Sequence, residues 1–81
     1  MHKIVVEKSP NFDDLENDFA SDVSGIVRSL EDLCECTILI SNDYKQIDID
    51  SKLDEKEIKQ LAKPLFSYHF DTVRFVSISK L

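Results

Sequence analysis

The sequence predicts a single α+β domain spanning residues 1–81, in which two helices cover one face of a four-stranded antiparallel sheet in the order β-α-β-β-α-β. Three observations carry that expectation. An apolar stripe of helical period runs from Asn11 to Leu33, the period changes to two-residue alternation after Leu33, and a second helical stripe opens at a capping-box spacing.

Lys3 to Glu7 is short and β-branched, the composition of a strand, with Ile4 and Val6 on one side and Val5 on the other. Ser9-Pro10 ends it. Proline suits a first helical turn, Ser9 or Asn11 can cap the helix, and Asp13, Asp14 and Glu16 lie where a helix dipole favours anions. In the helix that follows, Phe12, Leu15, Phe19, Val23, Ile26, Val27, Leu30 and Leu33 fall within a sector of roughly 120°, the width of a face laid on a core. Ser24-Gly25 is its one irregularity, costing about 1 kcal/mol relative to alanine at the glycine.

Beyond Leu33, Cys34, Cys36, Ile38 and Ile40 alternate with Glu35, Thr37, Leu39 and Ser41; after Asn42-Asp43, Ile47 and Ile49 alternate with Gln46, Asp48 and Asp50. This reads as a β-hairpin whose turn, lacking glycine, is one or two residues longer than the tightest kind. Asp54 and Glu57 then open a second helix with Ile58, Leu61, Ala62 and Leu65 on its buried side, and Pro64 either ends it near Ala62 or lets it continue to His69. Thr72 to Ser79 is the last strand. Its apolar residues fall on both parities, Val73 and Phe75 against Val76 and Ile78, which requires two apolar faces or a bulge. Right-handed return of the first helix makes this order the split βαβ, or ferredoxin-like, arrangement, which does not by itself specify a function.

At 81 residues and 9.3 kDa the chain has room for one core. No apolar run approaches the roughly 18 residues of a membrane span, and the stretch from Met1 to Val6 is too short for a signal peptide, so the expected location is cytoplasmic. The net charge of -6 is unevenly spread: residues 1–33 carry -5, residues 34–53 carry -2 and residues 54–81 carry +1. That sign disfavours direct nucleic-acid binding, despite basic residues at Lys56, Lys59, Lys63 and Arg74, and favours a protein partner with a basic surface.

The chemistry-bearing residues point away from catalysis. In an extended strand Cys34 and Cys36 share a face with Ile38 and Ile40, cannot readily close a disulfide, and read as small core residues; with His69 or His2 they lack the spacing of a zinc site. Asp48 and Asp50 share one strand face and, with Asp43 or Glu35, offer oxygens to a hard cation, yet alternating acids are also what the wet face of an antiparallel strand shows. His69, with Tyr68 before it and Asp71 close behind, reads as a helix-end residue. The third strand lacks the basic and aromatic residues of an RNA-stacking sheet, the loop after the first strand lacks cysteines for a soft metal and glycines for a phosphate, and there is no nucleophile motif. No cofactor, metal or catalytic residue is expected.

The outer side of the long helix is the predicted partner surface. Asp14, Asp18 and Asp22 repeat at i, i+4, where like charges cost a few tenths of a kcal/mol each, and Ser21, Gly25 and Ser29 form a small-residue strip beside them. Together they suit a basic surface that ordinarily grips phosphates, as for an immunity protein, antitoxin or phage-type inhibitor of a nucleic-acid-binding enzyme. A second reading is a homo-oligomeric regulatory or assembly subunit, a homodimer through an open sheet face carrying Val5, Leu39, Tyr44 and Phe75. A metal-dependent nuclease or hydrolase is a third.

Overall fold

The computed structural model describes residues 1–10, 18–69 and 71–81, without the side chain of Asp18. The elements are β1 (His2–Lys8), α1 (Asp18–Leu33), β2 (Thr37–Ile40), β3 (Gln46–Asp50), α2 (Glu55–Tyr68) and β4 (Val73–Lys80). They give the expected ferredoxin-like arrangement: the sheet runs β2-β3-β1-β4, antiparallel throughout, with two helices. The predicted helix start and its stripe residues Phe12 and Leu15 lie outside the described residues.

Period-two alternation decides which face of the sheet is buried. Ile4 and Val6 of β1, Ile47 and Ile49 of β3 and Val73 of β4 join Phe19, Val23, Ile26, Val27 and Leu30 of α1 and Ile58, Ala62 and Phe66 of α2 in one core. Leu33, expected in the stripe, is 54% exposed at the end of α1. On α2 the buried positions are Ile58, Ala62 and Phe66, whereas Leu61 and Leu65 are half-buried against the rim.

β4 settles the mixed parity by a bulge. Val5 pairs with Ser77 but Val6 pairs with Phe75, so Val76 is the extra residue. Phe75 lies opposite Val6 and Ile78 opposite Ile4, both on the helix side, while Val76 is half exposed. The hairpin loop closes through Ser41 N to Gln46 O at 2.9 Å, leaving four residues between them, two more than the tightest form.

α2 begins as predicted. Asp54 accepts from Glu57 N at 2.8 Å, and Glu57 Oε1 accepts from Asp54 N at 3.5 Å, a capping box. Pro64 lies inside the helix, which continues to Tyr68 and ends at the C-cap His69. Its missing N–H removes one helical donor, but Pro64 is exposed, so water can serve the carbonyl left behind. Pro64→Ala should therefore stabilise the domain by about 1–3 kcal/mol in urea unfolding, and a loss would show that the proline contributes packing.

His2 is the buried polar side chain of the inner face, and among the described residues its Nδ1 has no hydrogen-bond partner. A buried unpaired nitrogen costs about 1–3 kcal/mol. His2→Phe, which keeps the ring, should raise stability by about 1 kcal/mol in the same experiment; a fall would mean that the imidazole makes a bond that matters.

Candidate functional site

The predicted surface on α1 is only partly assembled. Asp14 and the side chain of Asp18 lie outside the described residues. Asp22 is half-buried and turned toward α2, its Oδ2 3.5 Å from His69 Nδ1, so this carboxylate ties α1 to the end of α2 and is not a free member of an acidic row. Ser21 is exposed and Ser29 half-buried. Among the described residues nothing lies within 4 Å of where a Cβ on Gly25 would sit, which leaves its outer side open to them.

The open face of the sheet is less apolar than the sequence suggested. Val5 lies there with Gln46 and Ser77 as partners, and Leu39, 66% exposed, sits opposite Asp48. Phe75 does not: the bulge turns it to the helix side, where its ring centre lies 5.3 Å from that of Phe66 in an edge-to-face contact. Tyr44 does not either. It belongs to the hairpin loop and packs against the core, and its φ of 62° puts a non-glycine residue in the left-handed region. Lys3, Glu7, Thr37, Gln46, Asp48, Asp50, Arg74, Ser77 and Ser79 share that face, and Gln46 Nε2 donates to Asp48 Oδ1 at 2.9 Å.

Two grooves flank the helices. One, of about 530 Å³, lies between the end of α1 and the start of α2 and is lined by Leu33, Cys34, Glu35, Ser51, Lys52, Leu53, Glu57, Gln60 and Leu61. The two segments that border it, 31–35 and 51–57, hold six acids and two lysines, -4 of the chain's -6. Glu31 and Asp32 are exposed in the last turn of α1, which has no basic residue; this is the negative end of the helix, where each acid costs a few tenths of a kcal/mol. The pair of acids with no base beside them in the last turn is the signal that the sequence carries for this end of the helix.

The other groove, of about 460 Å³, runs between α2 and β4, with Ala62, Phe66, Val73 and Phe75 among its apolar lining and Lys59, Lys63 and Arg74 beside them. Arg74 also meets Glu7 across the strand pair at 3.4 Å. Most of the predicted basic patch gathers here.

No family model, curated protein or solved structure matches the chain. Its site is therefore read from its own residues.

Among those described, no three His, Cys, Asp or Glu side chains converge as a metal ion requires, so neither the Asp48, Asp50 and Asp43 or Glu35 set nor the cysteines with His2 or His69 come together. No described helix is long and apolar enough to cross a membrane. Cys34 and Cys36 are not strand residues. They sit, half-buried, in the bend between α1 and β2, because Cys34 N still bonds to Leu30 O at 3.0 Å and β2 begins only at Thr37. Their sulfurs are 2.9 Å apart.

Asp43 organises the hairpin loop. Its Oδ1 accepts from the Ser41 hydroxyl at 2.6 Å and from Lys45 N at 3.0 Å, and Tyr44 N bonds to Ser41 O at 3.0 Å. The Ser41 hydroxyl, then the Lys45 N–H, hold its carboxyl below the usual aspartate range. The ionised form is thus favoured by folding, and its contribution is complete at neutral pH and disappears as pH falls through the lowered value. Asp43→Asn should flatten the loss of stability below about pH 4, followed by thermal unfolding; an unchanged acid profile would show that these bonds carry no linkage.

Proposed function

We propose that this is a non-catalytic protein that binds a partner protein with a basic surface and inhibits it, in the manner of an immunity protein, antitoxin or phage-type inhibitor of a nucleic-acid-binding enzyme. The observation that carries the reading is the groove between the two helices: apolar Leu33, Leu53 and Leu61 line it together with Glu35, Glu57 and Lys52, in a region that holds most of the chain's net charge. Six acids against two lysines in the bordering segments give the groove a negative potential, and its apolar lining gives a docked side chain something to bury against. The open outer side of Gly25 offers a further point of close approach. Self-association through the open sheet face is the weaker reading, because Phe75 and Tyr44 are not part of that face.

Reversing Glu31 and Asp32 to lysine separates binding from folding. The helix dipole favours cations at this end, so the double variant should be as stable as the wild type or more so by about 0.3–1 kcal/mol per site, yet lose the partner. Affinity capture from the source cell, at low and raised salt, checks it. The expected outcome is an enzyme acting on nucleic acid that the wild type retains at low salt and inhibits, and that the variant does not retain. Equal retention by both proteins would remove the acidic groove as the binding surface.

A further inference from the structure

The geometry points to Cys34 and Cys36 as a thiol–disulfide exchange site, at which a low-molecular-weight disulfide such as glutathione disulfide joins the two sulfurs of this chain. An extended strand would hold such a pair apart, but the bend after α1 brings them together: Cys34 Sγ lies 2.9 Å from Cys36 Sγ and 3.2 Å from Leu30 O, with Cys36 Sγ 4.0 Å from the same oxygen. Bond formation needs an approach of under about 1 Å. Neither cysteine is in a strand ladder, so the backbone between them can adjust without breaking sheet pairing. Cys34 lines the acidic groove, which gives a small reagent access to its sulfur.

The chemistry runs in two exchanges. Cys34 loses its proton to solvent and its sulfur attacks one sulfur of the reagent; the reagent's S–S bond breaks, and the first thiolate leaves and takes up a proton. Cys36 then loses its proton and attacks Cys34 Sγ, expelling the second thiolate. The protein gives up two electrons and two protons, and the reagent becomes two thiols. The order follows from the surroundings of Cys36: burial, with the hydrogen bond and charge of Cys34 and the charge of Glu31 adding to it, pushes its thiol up to about 12, so Cys34 is the entering nucleophile. Once Cys34 is in the mixed disulfide its charge no longer opposes ionisation of Cys36.

The full chain, reduced and freed of reductant, is incubated with excess glutathione disulfide and followed by intact mass. The expected product is the monomer lighter by two hydrogens with no glutathione retained. Cleavage after Glu35 should leave the two halves joined until a reductant is added. Cys36→Ser should stop at a stable glutathione adduct on Cys34, and Cys34→Ser should react at least about tenfold more slowly, since the thiolate is the reacting form. A wild type that keeps both thiols, holds a stable glutathione adduct or forms a disulfide between two chains would overturn the assignment. Cleavage mapping of the wild type decides the matter even where a serine variant folds poorly.

Discussion

Phe19, Val23, Ile26, Val27 and Leu30 of α1 form one buried cluster with Ile4 and Val6 of β1 and Ile47 and Ile49 of β3, and the remaining elements take their places from that contact. Each such side chain contributes about 1.5–3 kcal/mol on burial, a large share of what an 81-residue chain can muster against its conformational entropy. Two strands buried on one face only cannot slip register by one residue without turning that face into water. The pairing of Ile4 with Ile47 and of Ile38 with Ile49 is therefore a consequence of the helix above it as much as of the ladder.

This explains which parts of the fold were legible in the sequence. Periodicity reports a residue's face, and it located all six elements because each has an apolar side. It fails where backbone hydrogen bonding changes the count. In β4 one extra residue at Val76 reverses the parity, so Phe75 belongs with Phe66 and not with Val5 and Leu39. At the end of α1, the bond from Cys34 N to Leu30 O holds the cysteines in a bend that alternation alone had assigned to a strand. The candidate site was less legible still, since a groove is a property of two segments that are distant in sequence. Leu33 belonged to the stripe by angle, yet lines the space between α1 and α2.

Several residues break local rules. Tyr44 occupies a left-handed conformation that glycine or asparagine adopts at lower cost, but the loop fixes it through Asp43 and Ser41 while its ring packs against the core. Pro64 interrupts α2 on its wet side, where the lost bond is least costly. His2 buries a nitrogen without a partner among the described residues. The first two are offset nearby by packing or solvent. No described partner offsets the third, which makes it a reserve of stability that a single substitution can release.

The acids at the groove between the helices differ in kind from those elsewhere. Asp54, Glu55 and Glu57 stand at the positive end of α2, where the dipole favours them and two of them form the capping box. Glu31 and Asp32 stand at the negative end of α1, where the same field opposes them and the last turn carries no base. Helix stability thus accounts for one set and argues against the other, although both belong to the segments whose Glu35 and Glu57 line a single groove. What the two sets share is the potential they create there, which adds regardless of the helix each belongs to. The unfavourable pair at the end of α1 is consequently the more informative about function, because folding alone supplies no reason to keep it.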